Sequence, residues 1–438
     1  MENLIANIKL GIKYLCRYRR RYYFLLAALI FGFTVVTFIT STKDGMYDSV
    51  YFAAQSHYAG DIIVMGYERL PNNKNMHKLR RNEIDSILAA AHAAELNPQH
   101  TVFRTYHGSD SFVYFNGNVV QLKNIAGCDW ENEMFMFNKM TFEQLQQNFA
   151  DENGIILSVP IAERLGAKIG DNIILEVNTQ TGQKNTASFI VTGIVRDASI
   201  FGFYKVYVSR LSLNSLLLYE DNECSSIGFF FEDPSVSEKK RLELQRFIPE
   251  NVQLGPIVYD RDGLVREREG NWEGLRVFLY TLPIYLSEVS DLLDAMNIIT
   301  YLLFAMMLIT ILVSAGVTYR LILNERSREI GVIRTIGFNS MDLYIILLTE
   351  IIVLGIIAII AGFVLSCILS WAASFLSFSW FPGFEIFLKG EKLMPMYLPQ
   401  TITGNVFILL FVIIMMAYFH TKRVIKQELP SLLAGDPL

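Results

Sequence analysis

Charge is what this chain has least of. Only 18% of its 438 residues are Asp, Glu, Lys or Arg, against roughly 25% in ordinary soluble domains. The net charge of −5 is mild. No long basic stripe runs along the sequence, so nothing argues for nucleic acid as a partner. Cysteine is sparse too. Cys16, Cys128, Cys224 and Cys367 form no C-x-x-C pair, which leaves zinc-ribbon and thioredoxin-type readings without support. There is no G-x-x-x-x-G-K-[ST] phosphate loop. In Gly166-Ala167-Lys168-Ile169-Gly170 the lysine is misplaced, and the segment reads as a turn. H-E-x-x-H and G-x-S-x-G are also missing. Histidines occur at 57, 77, 92, 100, 107 and 420. His100 and His107 could share a metal, but no cysteine is spaced to complete such a site, so surface histidines are expected. The chain is expected to have no catalytic centre and to bind no cofactor or metal itself.

What it has instead is apolar residues, 52% of the total, with a mean hydropathy of +0.31. They collect in one block near the N-terminus and three in the last third. The first block is about 19 uncharged residues, which at about 1.5 Å per residue crosses a ~30 Å hydrocarbon core. A secretory signal is the competing reading, but its apolar region is usually about 7–15 residues long and ends in an A-x-A-like site. This block is longer and ends in Ser41-Thr42-Lys43-Asp44, so a retained anchor is expected. The expected spans are 22–42, 298–323, 343–376 and 402–420, the third long enough to require tilt or a protruding end.

Lys and Arg near the span ends set the orientation. Lys9, Lys13, Arg17, Arg19, Arg20 and Arg21 precede the first span. Arg320, Arg326, Arg328 and Arg334 lie between the second and third, and Lys422, Arg423 and Lys426 follow the fourth. Between the third and fourth, Lys389 and Lys392 are offset by Glu385 and Glu391. The amphipathic N-terminal segment 1–21, the loop 324–342 and the tail 421–438 are therefore expected in the cytoplasm. Residues 43–297 and 377–401 are expected outside.

Within the spans Glu350 is the single charge away from an end, about 10 Å along its helix from Leu343. Two readings stand side by side: it snorkels to the headgroups, or it holds the cytoplasmic loop in place. Small residues recur at helical spacing: Ala28 with Gly32, Thr310 with Ser314 and Thr318, Gly355 with Gly362. They are expected to let helices approach closely within the subunit, with a subunit interface as the second reading.

The outer 250 or so residues are enough to bury a core. Gly60-Asp61 introduces a strand, and residues 82–95 read as a helix closed by Asn97-Pro98. Strands at 111–115 and 118–122 flank an Asn116-Gly117 turn, the strongest short-range hairpin signal. Residues 154–177 read as strand, short helix, Gly-Asp turn and strand. Further strands are expected at 189–195, 205–208 and 226–231, and helices at 211–219 and 236–247. Irregular mixing of the two implies an α+β domain, expected in two lobes with a strand-rich one near 150–210. Residues 43–58 and the amphipathic 282–297 read as helical extensions of the first two spans, a stiff stalk where a Gly/Ser linker would absorb displacement. Cys128 and Cys224 both fall in this domain, with disulfide pairing left open. The fold class is thus an α-helical membrane protein with four transmembrane helices plus a large α+β extracytoplasmic domain between spans 1 and 2.

The loop Asn324-Glu325-Arg326-Ser327-Arg328-Glu329-Ile330-Gly331-Val332-Ile333-Arg334-Thr335-Ile336-Gly337 reads as a short helix over 324–336. Ile330, Ile333 and Ile336 form its apolar stripe, and Gly337 turns the chain. Its near-neutral mix of charges suits a protein partner better than anionic lipid. Here the sequence resembles the FtsX/MacB/LolC-LolE-like permease family of ABC transporters. Arg328, Glu329, Ile330, Gly331, Arg334 and Gly337 match that family's R-E-I-G-x-[LM]-[RK]-A-x-G segment, with Thr335 replacing the usual Ala. Glu350 and Gly362 resemble its E-A-…-G pattern, with Ile351 in place of Ala. Ala162, Leu165, Gly170 and Asp171 are similar to its outer-domain pattern, and the tail with Pro430 matches poorly.

The resemblance implies that the loop is a coupling helix docking on a separate ATPase subunit, through Glu325, Arg328, Glu329, Ile330, Gly331, Arg334 and Gly337. It implies a dimer of permeases, identical or paralogous, with two ATPase subunits that carry the ATP and Mg. Lipoprotein release from the cytoplasmic (inner) membrane is the favoured cargo, on Gly45-Met46 and Gly60-Asp61-Ile62-Ile63-Val64. MacB-like export of peptides or antibiotics comes second and an FtsX-like regulator of cell-wall hydrolases third. A membrane-anchored sensor that needs no ATPase is the alternative from another class.

Overall fold

The computed structural model describes residues 2–426 except 70–74, 109, 180, 197–203, 271, 378–383, 385, 386, 390 and 391. Pro430, Glu385 and Glu391 lie outside the described residues. In chain order the helices are α1 (Glu2–Arg17), α2 (Arg19–Tyr58), α3 (Arg81–Ala93), α4 (Trp130–Phe137), α5 (Val159–Leu165) and α6 (Arg210–Leu217), then α7 (Ser237–Phe247), α8 (Arg261–Glu269), α9 (Leu282–Glu325), α10 (Ser327–Thr335), α11 (Ser340–Ala373) and α12 (Pro399–Ile425). The strands are β1 (Ile62–Arg69), β2 (Asn75–His77), β3 (His100–His107), β4 (Ser111–Phe115), β5 (Asn118–Leu122), β6 (Asn124–Cys128) and β7 (Phe142–Leu145), then β8 (Gly154–Ser158), β9 (Asn172–Asn178), β10 (Lys184–Val195), β11 (Lys205–Ser209), β12 (Ser226–Phe230) and β13 (Gly274–Thr281). They fall into two compact units. One comprises Met1–Asp48, Leu292–Ser377 and Lys392–Leu438, the other Ser49–Asp291 and Phe378–Glu391.

The first unit is helical. Four helices, Arg19–Tyr58, Asp291–Glu325, Ser340–Ala373 and Pro399–Ile425, are long and apolar enough to cross a membrane. Each turns an apolar stripe inward at three- and four-residue steps: Leu25, Leu29 and Phe33 on α2, Ile311, Ala315 and Tyr319 on α9, Leu347, Ile351 and Leu354 on α11, Leu409, Ile413 and Met416 on α12. The outer faces are apolar as well, with Ile309, Val313, Val317 and Leu321 of α9 all more than half exposed. A helix apolar all round is unstable in water and suited to hydrocarbon, where its backbone groups are satisfied internally. Of the expected packing residues, Gly32 sits where a Cβ would lie 2.3 Å from Ile311, and Gly362 backs onto Phe33. Gly355 faces Ile413, and Ala28 is half-buried. Ser314 differs: it is exposed, and its carbonyl accepts from the Thr318 hydroxyl at 2.8 Å. Gly45 is a further close approach, where a Cβ would overlap the Met394 carbonyl oxygen at 1.9 Å. Its Gly45→Leu variant is expected to fail to assemble this unit, read as loss of a monodisperse peak in detergent.

The second unit is built on one mixed sheet, in the order β13-β1-β12-β3-β6-β11-β8-β10-β9-β4-β5, with β2 on β1 and β7 on β10. The pairs β6–β11 and β8–β10 are parallel. Two apolar cores lie along it. One gathers Ile62, Val64, Ile87, Phe229 and Leu244 under α3 and α7, the other Val113, Ile155, Leu175, Val206 and Leu213 under α5 and α6. The expected strand-rich lobe is therefore a second core spanning 113–217 on a continuous sheet. The β4–β5 hairpin falls where its Asn116-Gly117 turn placed it, with φ of 47° and 85°, the left-handed pair such a turn requires. Gly166 and Gly170, both at positive φ, close α5 and open β9, so this segment is the turn its sequence suggested. Cys128 and Cys224 are buried and form no disulfide.

Candidate functional site

The loop between the second and third long helices is folded as α10, one turn shorter than its sequence pattern. α9 runs through Asn324 and Glu325, and Arg326, at φ −100° and ψ 2°, breaks the helix before Ser327 restarts it. Gly337, at φ 104°, turns the chain out of α10, a conformation that favours glycine. Asn339 and Asp342 then form a capping box for α11.

Arg326 reads as a surface charge in sequence, yet its side chain is 2% exposed. Its Nη1 lies 2.6 Å from Oε2 of Glu350 and donates to the Tyr22 hydroxyl at 2.8 Å. The Tyr22 hydroxyl in turn donates to the same Glu350 oxygen. The guanidinium sits 5.3 Å from the ring centre of Tyr14 and 5.6 Å from that of Tyr18, a distance at which an aromatic face attracts a cation. Glu350 is completely buried. Of its two readings, the structure thus places it against the loop rather than at the surface. Around this node Arg21 pairs with Glu325 at 3.5 Å, Arg326 with Glu329 at 3.5 Å, and Asn7 donates to Asp342 at 2.7 Å. The N-terminal segment, expected to be amphipathic, forms α1 and packs on α11 through Gly11, where a Cβ would come within 2.8 Å of the Ile346 carbonyl.

The expected coupling residues divide into two sets. Ile330 and Gly331 are buried and hold α10 to the helical unit, and Arg334 reaches the Ile425 carbonyl at 3.4 Å. Arg328 and Gly337 are exposed, while Glu325 and Glu329 are partly engaged in ion pairs. The apolar stripe does not face inward as a whole. Ile330 does, Ile333 is half-buried, and Ile336 is 73% exposed beside Val332 at 45% and Met341 at 69%. Val332 and Met341 were missed. Val332 falls off the stripe of Ile330, Ile333 and Ile336, and Met341 lies beyond it, in the first turn of α11.

At the C-terminal end of α2 lies a second constellation, wholly within the second unit. The last carbonyls of a helix lack intrahelical partners and favour a cation. Here Arg104 of β3 donates from Nη1 to Ser56 O at 2.7 Å and to His57 O at 3.3 Å. The same guanidinium grips Oε2 of Glu133 through Nε at 2.8 Å and Nη2 at 2.5 Å, both side chains being fully buried. The Tyr106 hydroxyl and the Lys205 ammonium add to His57 O at 2.9 and 3.4 Å. Ala59, at φ 58°, ends the helix. Asp61 follows: its carboxylate accepts from Tyr51, Gln55 and the Phe231 N–H, each at 2.8 Å. Its carbonyl accepts from the N–H of Leu282, the first residue of α9, at 3.0 Å. Burial pushes the Asp61 carboxyl up from its ordinary value, against the pull of those hydrogen bonds. The end of α2 and the start of α9 are thereby tied at one residue.

His100 and His107 stand at opposite ends of β3, about 23 Å apart at 3.3 Å per residue, so they cannot share a metal. Nor are all the histidines surface groups. His77 Nδ1 and His107 Nε2 are buried without a hydrogen-bond partner, and burial, with Arg268 and His107 nearby, holds the His77 imidazole down at about 4.

Two family models match the chain: the FtsX-like permease C-terminal region over residues 301–429, and the MacB-like periplasmic core domain over 24–233. The first covers most of α9 and all of α10 to α12, the second α2 and the sheet as far as β12. Permeases of this FtsX/MacB-like kind are transporter subunits, not themselves catalytic, that work with an ABC ATPase. The chain belongs to the FtsX/MacB-like permease family. Among solved structures, the periplasmic region of MacB from Actinobacillus actinomycetemcomitans is 11% identical, with 54% of this chain and 96% of that one covered and a TM-score of 0.32. A permease protein domain from Porphyromonas gingivalis is 11% identical, with coverages of 51% and 89% and a TM-score of 0.28. No curated protein matches the chain at a significant level.

Proposed function

We propose that the chain is the membrane-embedded subunit that turns ATP hydrolysis in a separate subunit into motion of the outer domain. The observation that carries this reading is α10: a short helix fastened to α2 and α11 by the buried Arg326–Glu350–Tyr22 node while Val332, Ile336 and Met341 stay uncovered. A displacement of α10 is then passed to α2 and α9 through ion pairs and packed side chains rather than through a flexible loop. ATP and Mg would be held by the partner, two copies of which would face a pair of permeases. The four apolar helices would cross the cytoplasmic membrane with both termini inside.

For the cargo we favour lipoproteins released from that membrane. The support is the resemblance of Gly45-Met46 and Gly60-Asp61-Ile62-Ile63-Val64 to the domain entry of the lipoprotein-releasing branch of the family. Export of peptides or antibiotics is the second reading, supported by the MacB-like core match. Purification of the native complex with mass spectrometry separates them. An ATPase with lipoproteins supports release, an ATPase with a periplasm-spanning adaptor supports export, and no ATPase at all leaves a membrane-anchored sensor.

The docking face has its own test. The Val332→Asp/Ile336→Asp variant is expected to lose the ATPase in pull-downs, a loss of about tenfold or more if two central apolar anchors go. The outer domain should keep its wild-type protease resistance. Glu329→Lys places a second cation beside Arg326 and is expected to uncouple hydrolysis from transport. Wild-type transport in both variants would remove α10 from the coupling path.

A further inference from the structure

The outer unit contains a cavity of about 380 Å³, within the range of small-molecule sites. Its walls are Tyr58, Tyr67, Tyr106 and Tyr285 with Met65 and Leu264, and its charged residues are Lys123 and Arg268. Among the described residues, no aspartate or glutamate lines it. Tyr58 and Tyr285 stack at 3.9 Å, a flat apolar surface, and Arg268 lies 4.8 Å from the ring centre of Tyr67. Tyrosine cages elsewhere hold cations. Here Arg268 already occupies one aromatic face and Lys123 adds the same sign, so a second cation would be repelled.

The hydroxyls give the sharper clue. Tyr67 and Tyr285, both buried, each donate to the same atom, the Met65 thioether sulfur, at 3.3 Å. A thioether is a weak acceptor, so two buried phenol donors converge on one poor partner. The His77 ring, 4.7 Å from that of Tyr67, also lines the cavity and holds a buried Nδ1 with no hydrogen bond. An oxyanion at this point would take both phenol hydrogens and meet the guanidinium, while a planar body lay along Tyr58 and Tyr285.

We propose that this cavity binds a small organic anion with a flat apolar body, its oxyanion held by Tyr67, Tyr285 and Arg268. The assignment concerns the outer domain alone and stands whether or not α10 docks an ATPase. It is tested with the full chain in lipid nanodiscs and 2-naphthoate as the probe, against the neutral 2-naphthylmethanol and against empty nanodiscs. Naphthoate is expected to bind saturably and about tenfold or more tighter than the alcohol, as charge-assisted hydrogen bonds imply. Tyr67→Phe/Tyr285→Phe removes the donors without changing ring size and should abolish that preference. Val265→Trp, at the exposed rim, should block both compounds and leave the melting temperature unchanged. Equal binding of acid and alcohol, binding that matches empty nanodiscs, or a preference that survives the double Phe variant would overturn the proposal.

Discussion

Arg326→Met is expected to cost the helical unit about 3–5 kcal/mol, because it leaves Glu350 buried and charged without its partner. Glu350→Gln should cost less. The amide keeps an oxygen to accept from Tyr22 and Arg326, and the stranded cation sits among the rings of Tyr14 and Tyr18. The informative variant is the double one, Arg326→Met/Glu350→Leu. Replacing a whole buried ion pair by apolar side chains of similar volume is often neutral or stabilising, so thermal unfolding in detergent should return to within about 1 kcal/mol of wild type. The fastening of α10 to α11 is nevertheless gone. If the pair transmits motion, the double variant binds its ATPase and hydrolyses ATP but no longer drives the outer domain. If the double variant transports normally, the pair serves folding alone, and transmission runs through the packing of Ile330.

The sequence carried this node only in part. Glu350 stood out because a carboxylate in an apolar run has few neutral explanations. Its partner did not, since Arg326 sits among five other charged or polar residues in a loop where an exposed arginine is the default. The same asymmetry runs through the fold. The four long helices were legible because absence of charge over some 20 residues is a coarse, additive signal. The Asn-Gly hairpin and the Gly166 and Gly170 turns were legible because glycine reports backbone angles directly.

β3 was not. His-Thr-Val-Phe-Arg-Thr-Tyr-His carries an arginine, two histidines and two threonines, and reads as surface, yet it joins the two halves of the sheet. Its arginine is buried because Glu133, twenty-nine residues on, and two helix-end carbonyls compensate it. Long-range compensation of this kind has no local signature. The exposed rotation of α10 failed for a different reason. An apolar stripe marks one face of a helix but not which of its residues a neighbour covers, and Ile336 lies just past the last residue of α10, Thr335.

Arg104 yields the second large effect. Arg104→Met strands Glu133 in a fully buried site and takes donors from Ser56 O and His57 O, for an expected loss of about 3–5 kcal/mol in the outer domain. Guanidinium unfolding followed by tryptophan fluorescence reads it, since Trp130 lies on the same short helix as Glu133. Arg104→Met/Glu133→Leu should recover most of that stability, because no buried charge is then left alone. The end of α2 is not restored. Tyr106 and Lys205 still reach His57 O, but Ser56 O has lost its donor, and the helix is no longer clamped to β3 by a two-sided ion pair. A helix that must push or pull on a sheet needs its terminal peptides fixed to that sheet. A frayed last turn, whose opening free energy is close to zero, would absorb a small displacement before it reached β1. The double variant is therefore expected to fold, to bind the ATPase and to hydrolyse ATP at the wild-type rate while transport falls. Reconstituted transport measured beside ATPase activity decides it: a fall in transport alone places Arg104 in the force path. Equal rates would mean that Asp61, which ties the same helix end to Leu282 and Phe231, carries the load without it.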